Sequence, residues 1–234
     1  MPVYQLTRDL VFPPAHHAES GLLAVGGDLS RERLLLAYRS GIFPWYSDGE
    51  PILWWSPDPR MILLPGEFHC SRSLKRVLRN APFRVTLDRA FAEVISACGE
   101  TPRPGQEGTW ITPEMAAAYI DLHERGYAHS FECWEGGRLV GGLYGVAIGG
   151  VFFGESMFSH RDNASKVAMH ALVTAALAWG IVLIDCQVAN PHLSSLGARE
   201  IPRHLFFKVL QSGLGSRPDT EAWKALPPLD LGPD

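Results

Sequence analysis

Residues 151–197, VFFGESMFSHRDNASKVAMHALVTAALAWGIVLIDCQVANPHLSSLG, constrain this chain more than any other stretch. An apolar run, Val151–Glu155, ends at a carboxylate. A helical segment spans Ala164–Trp179, and a second apolar run, Val182–Gln187, carries Asp185 and Gln187. Side chains alternate along a strand, so Asp185 and Gln187 are expected on one face and Ile184 and Cys186 on the other. A strand–helix–strand unit crosses over right-handed and leaves its strands parallel. Glu155 and Asp185 then lie near the carboxyl ends of neighbouring strands, the edge where open α/β sheets place ligands. Two carboxylates and a carboxamide at one edge predict a polar site in apolar surroundings.

The remaining chain reads as structure that serves this unit. With 234 residues it holds one large domain, or one domain with a small appendage. Residues 1–62 are rich in proline, and Tyr38, Trp45, Tyr46, Trp54 and Trp55 fall close together. They predict a small N-terminal domain, with a helix capped by Ser30 and stopped by Gly41. Residues 63–234 form the second unit. Phe83–Leu87 reads as a strand, followed by a helix capped by Asp88 that runs through Cys98. Thr101–Gly108 is a polar loop, and Thr112 with Pro113 starts a helix reaching about Glu124. Strands are expected at His129–Glu135, Leu139–Ile148 and Val151–Glu155, with Gly-Gly hairpin turns at 136–137 and 149–150. A last helix lies near Arg203–Gln211, and the tail after Gly213 reads as loosely held. The fold class is α+β with a mixed sheet, in the order of a GNAT-type acyltransferase whose sheet splays between its parallel strands. That is a fold-level analogy and fixes no chemistry.

Charge and cysteine usage narrow the partners. The net charge of −4 argues against a general nucleic-acid coat but allows a local basic patch. One exists: Arg72, Lys75, Arg76 and Arg79 fall on neighbouring turns of a short helix capped by Ser71 or Ser73. Cys70, Cys98, Cys133 and Cys186 form no CxxC pair and no zinc-spaced cluster, so reduced thiols and no metal are expected. The first residues lack the basic start and apolar run of a secretory signal, which predicts a cytoplasmic protein. No stretch approaches the ~20 apolar residues that would span a membrane.

Read together, GLLAVGGDLS, GIFPWYSDGEPILWWSPDPR, HCSRSLKR, GTWITPEM, GYAHSFECW, LVGGLYGVAIGGVFFGESMFS, NASKVA and LIDCQVANPHLSSLGAREIPR resemble the leucyl/phenylalanyl-tRNA–protein transferases. The resemblance runs from about Leu6 to Phe207. It implies a GNAT-like catalytic domain behind a smaller N-terminal one. It implies transfer of Leu or Phe from charged tRNA to the N-terminal Lys or Arg of an acceptor protein, which tags that protein for N-end-rule degradation. The family is cytoplasmic and needs no metal or coenzyme, and a monomer is expected. By the same resemblance the family's acidic residue falls on Glu155 and its paired residues on Asp185 and Gln187. Trp45 and Trp110 would hold the terminal adenosine of the tRNA. Tyr38, Tyr119, Leu143, Leu172, Ala176 and Ile184 would form the aminoacyl pocket. Arg72, Lys75, Arg76 and Arg79 would contact tRNA phosphates.

The chemistry implied is aminolysis of an activated ester. Positioning two substrates can contribute ~7–11 kcal/mol to such a step. The attacking amine must lose a proton, and Asp185 is the expected acceptor, acting in the reaction step and not in the fold. Gln187 carries no proton but can orient its neighbours. Glu155 would meet the cationic acceptor. Cys186 and His192 are not read as a nucleophile pair, because alternation turns Cys186 to the apolar side. An acetyl-CoA enzyme would need a glycine-rich pyrophosphate loop before the crossover helix, where this chain has SHRDNASKV with anionic Asp162. A tRNA-binding module without catalysis would leave Glu155, Asp185 and Gln187 idle.

Overall fold

A computed structural model describes residues 3–80, 82–101, 109–216 and 223. Most of the expected polar loop at Thr101–Gly108, and most of the tail after Gly213, lie outside the described residues. In chain order the elements are β1 (Tyr4–Leu6), β2 (Leu22–Gly26), α1 (Arg31–Arg39), β3 (Phe43–Pro44), β4 (Leu53–Trp55), β5 (Arg60–Leu63), α2 (Arg72–Asn80), β6 (Arg84–Leu87), α3 (Phe91–Glu100) and α4 (Pro113–Glu124). They continue with β7 (Ala128–Glu135), β8 (Arg138–Ile148), β9 (Val151–Ser159), α5 (Ala164–Trp179), β10 (Leu183–Gln187), α6 (Pro191–Ser195), β11 (Arg199–Ile201) and α7 (Arg203–Gly215).

Two sheets result. A four-stranded sheet in the order β1-β2-β4-β3 lies within the N-terminal residues. A seven-stranded sheet runs β11-β5-β10-β9-β8-β7-β6. Its β9 and β10 are parallel, joined by α5 as expected, and its other pairs are antiparallel. The mixed α/β class is the one read from the sequence. One face of the large sheet packs with α1, α3, α4 and α7 around Phe153, Tyr144 and Leu183. The other packs with α2 and α5 around Phe131, Phe152 and Ile184.

Local rules hold at some ends and yield at others. Thr112 caps α4 by accepting from the Met115 amide at 3.1 Å, with Pro113 at the first helical position. Gly136 and Gly137 both take positive φ, as the tight hairpin requires. Ser30 sits at the α1 cap but makes no side-chain cap bond; its amide donates to Asp28 Oδ1 at 2.9 Å. Asp88 does not cap α3. Its carboxylate accepts from the Ser130 amide, and the α3 start is held by Glu132 Oε1, which accepts from the Arg89 and Ala90 amides. A tertiary carboxylate has displaced the local cap.

Candidate active site

β9 and β10 pair only from Leu183–Val151 to Asp185–Phe153, then part. Each carries an irregularity at that point. On β9 the register against β8 jumps from Gly145–Gly154 to Tyr144–Ser156, which leaves Glu155 as the extra residue. Gly145 permits this, since a Cβ there would sit 2.2 Å from the Phe153 carbonyl oxygen. On β10 the register against β5 jumps between Asp185 and Gln187, and Gln187 takes φ +64°. Bulges of this kind re-aim side chains. The expectation that Glu155 ends its strand is therefore corrected: β9 continues to Ser159.

The splay opens on a cavity of about 810 Å³. Glu155, Ser156, Gln187, Asn190 and His192 are among its polar lining residues. Leu143, Phe152, Met169, Leu172 and Ile184 supply an apolar wall, and Phe43, Trp45 and Trp110 line it from other elements.

Glu155 is the centre of the polar wall. Its Oε1 accepts from the Gln187 amide nitrogen at 2.7 Å, and its Oε2 from the Tyr119 hydroxyl at 2.9 Å. Tyr119 is in turn hydrogen-bonded to Tyr38. Burial raises the Glu155 carboxyl to about 7; repulsion from Asp185 adds to this, and hydrogen bonds from the tyrosine hydroxyls and Gln187 oppose it. Both tyrosine hydroxyls are pushed well above their ordinary value, first by burial and then by the Glu155 charge.

A carboxyl at about 7 when folded, against an ordinary 4.5, binds its proton more tightly in the folded state. Its contribution to stability is full below pH 4.5 and is lost as pH rises through 7, roughly 3 kcal/mol in all. Glu155→Gln cannot titrate. Its melting temperature should therefore gain on the wild type's between pH 5 and pH 8. A difference that stays constant over that range would mean Glu155 titrates normally.

Asp185 does not meet the cavity. It is fully buried, and Arg60 grips it with two bonds, Nε to Oδ1 at 2.8 Å and Nη2 to Oδ2 at 2.6 Å. Oδ1 also accepts from the Gln187 backbone amide at 3.0 Å. The expectation that Asp185 and Gln187 face substrate together is corrected, since only Gln187 reaches the wall. The reason is the bulge, together with a cation from β5 that sequence spacing could not show.

The other expected residues divide. Trp45 and Trp110 both line the cavity; Trp45 is 37% exposed and Trp110 6%. The Trp55 indole donates to the Trp45 carbonyl at 2.7 Å and packs against its ring. Leu143, Leu172 and Ile184 line the apolar wall, but Ala176 does not. Tyr38 and Tyr119 also lie off the cavity wall, buried behind Glu155. Phe152, Met157 and Met169 were missed; Met169 lies three residues before Leu172 on α5, a spacing that could have signalled it. Arg72, Arg76 and Arg79 are exposed on α2, Lys75 is half-buried, and Ser71 caps that helix. Burial pushes the Cys186 thiol far above its ordinary range, which suits no nucleophile.

The splay of the mixed sheet thus sets a buried carboxyl beside an apolar recess in one cavity wall. A family model described as leucyl/phenylalanyl-tRNA protein transferase matches residues 62–211, and the model of that family's N-terminal domain matches residues 27–58. A protein named leucyl/phenylalanyl-tRNA–protein transferase from Azotobacter vinelandii is 61% identical over 94% of this chain and 98% of its own. One of the same name from Syntrophobacter fumaroxidans is 57% identical over 96% of each. The chain belongs to the leucyl/phenylalanyl-tRNA–protein transferase family. Among solved structures, a GCN5-related N-acetyltransferase from Kribbella flavida aligns at 13% identity over 71% of this chain and 59% of its own, with a TM-score of 0.37. Among the described residues no helix is long and apolar enough to cross a membrane.

Proposed function

We propose that this transferase joins Leu or Phe, taken from its charged tRNA, to the amino-terminal Lys or Arg of an acceptor protein, with Glu155 as the proton acceptor. The observation that carries the assignment of Glu155 is a buried carboxyl at about 7 in the wall of the cavity. A general base works best when its pKa lies near the operating pH. Asp185, already committed to Arg60, is not the base in this account.

The steps balance without another reactant. The Leu or Phe side chain enters the recess of Leu143, Phe152, Met169, Leu172 and Ile184, and the terminal adenosine lies against Trp45 and Trp110. Base stacking of this kind is worth ~1–3 kcal/mol per base. Glu155 takes a proton from the acceptor's α-ammonium. The free amine attacks the ester carbonyl, the bond to the ribose oxygen breaks, a second proton leaves the nitrogen for that oxygen, and the proton held by Glu155 passes to solvent. Gln187 keeps the carboxylate oriented. The protein acts in the cytoplasm as a monomer, and its products enter N-end-rule degradation.

The test mixes the protein with Phe-tRNA or Leu-tRNA and peptides that differ only in their first residue. Extension of Lys- and Arg-initiated peptides is expected. Equal extension of acidic or apolar N-termini would remove the acceptor assignment, and no extension at all would remove the reaction.

The tRNA body is assigned to Arg72, Lys75, Arg76 and Arg79, which would meet phosphates without reading sequence. Each lost contact should flatten the slope of log affinity against log salt by about one. Arg76→Ala with Arg79→Ala should impair reaction with whole charged tRNA and spare a short aminoacyl-adenosine donor. Equal losses with both donors would return the cluster to a solvated helix face.

A further inference from the structure

We propose that Arg60 is a positioning residue of the transfer reaction, setting the reach of Gln187 to Glu155 through Asp185 and tying that pair to the segment that carries Trp45. The inference rests on the assignment of Glu155 as proton acceptor.

Arg60 is 1% exposed, and its contacts fix it on every side. One edge of the guanidinium, through Nε and Nη2, holds the Asp185 carboxylate. Nη1 donates to the Gly41 carbonyl at 3.3 Å. Its faces are covered by Phe43 at 4.7 Å and Phe206 at 4.6 Å. Gly41 and Phe43 belong to the segment leading into Pro44 and Trp45 on the cavity wall. Phe206 belongs to α7 and Asp185 to β10. One planar cation therefore joins three parts of the chain behind the site.

Stability alone is a weak reason for such a pair, because apolar residues of similar volume often serve a buried position as well or better. What the pair adds is geometry. Gln187 occupies φ +64°, a region that non-glycine side chains seldom adopt. The Asp185 carboxylate accepts from its amide there, and Arg60 keeps that carboxylate in place. The Gln187 side chain then ends 2.7 Å from Glu155 Oε1. A lysine at position 60 would keep the charge but lose the planar two-point grip and the sandwich between rings.

The pair also sets the charge felt by Glu155. That carboxyl is faced by Tyr38 from α1, Tyr119 from α4, and Asp185 and Gln187 from β10, with Tyr144 of β8 against the Tyr119 ring. Asp185 is the only anion in this group, and its repulsion helps raise Glu155.

The test uses Arg60→Lys, the charge-free pair Arg60→Met with Asp185→Leu, and Glu155→Gln as reference. Each is checked for folding by melting temperature, then followed in single turnovers of Phe-tRNA with a Lys-initiated peptide from pH 5.5 to 9. Arg60→Lys should lower kcat about tenfold with KM for both substrates within about threefold, since orientation and not binding is lost. The charge-free pair should fold, and the midpoint of its acid limb should fall, because the anion that raises Glu155 is gone. The acceptor amine is the same throughout and cannot cause that movement. A kcat within about twofold of wild type for Arg60→Lys overturns the proposal, as does an unmoved limb in the charge-free pair when Glu155→Gln has lost it. If Glu155→Gln keeps the limb, the proton-acceptor assignment falls, and Arg60 is then judged on kcat alone.

Discussion

Replacing Asp185 by alanine should cost about 3–5 kcal/mol of folding stability, the toll of leaving one member of a buried ion pair uncompensated. In a chain of this length that lowers the melting temperature by roughly 10 °C. The Arg60 guanidinium would remain between Phe43 and Phe206 with no anion beside it, and the Gln187 amide would lose its acceptor at the bulge. Activity would fall as well, but with an unstable protein as part of the cause. The sequence alone suggested that Asp185 acts in the reaction step and not in the fold; the grip of Arg60 gives it a share in the fold. Denaturant midpoints of Asp185→Ala and of the charge-free pair decide the matter. A loss under about 1 kcal/mol for the alanine variant would show that the ion pair is not what holds β10.

Glu155→Gln should lower turnover about 10²–10⁴-fold, the range in which a positioned base contributes. The change is nearly isosteric. The Gln187 amide can still donate to the new carboxamide oxygen, so the wall keeps its shape and only the proton acceptor disappears. KM for a short aminoacyl-adenosine donor should stay within a few-fold, because that donor is held by stacking and apolar contact. Rapid-quench single turnovers separate the two effects. A variant with near-normal turnover would exclude Glu155 from the proton's path. One whose only defect is the use of basic N-termini would make it a charge partner for the acceptor side chain instead.

How far the fold was legible depends on the range of the interactions concerned. The crossover from β9 through α5 to β10 was legible because each piece repeats its own period over enough residues. The turns at Gly136-Gly137 were legible because the chemistry is local. The four-stranded N-terminal sheet was not, since its strands span only two to five residues and too short a stretch shows alternation. β5 hid for the same reason. That concealed Arg60, which lies 125 residues from Asp185. The site was legible to the same degree. Asp185, Glu155 and Gln187 were picked out together, and the structure brings Glu155 and Gln187 into contact. Which of the three faces the cavity depends on two bulges, and a bulge is set by the partner strand, here through Gly145. Ala176 follows Leu172 at helical spacing, but the cavity ends before it, because the depth of the splay is a tertiary quantity.

As proton acceptor Glu155 must give up its own proton near neutrality, and that can be measured on the residue itself. Carbon-13 labelling of glutamate side chains, with the Glu155 carboxyl resonance assigned by its absence in Glu155→Gln, gives its titration directly. The predicted result is a midpoint at about 7 that coincides with the acid limb of the single-turnover rate. A midpoint in the ordinary carboxylate range, near ~4.3, with the rate limb still close to neutrality would contradict it.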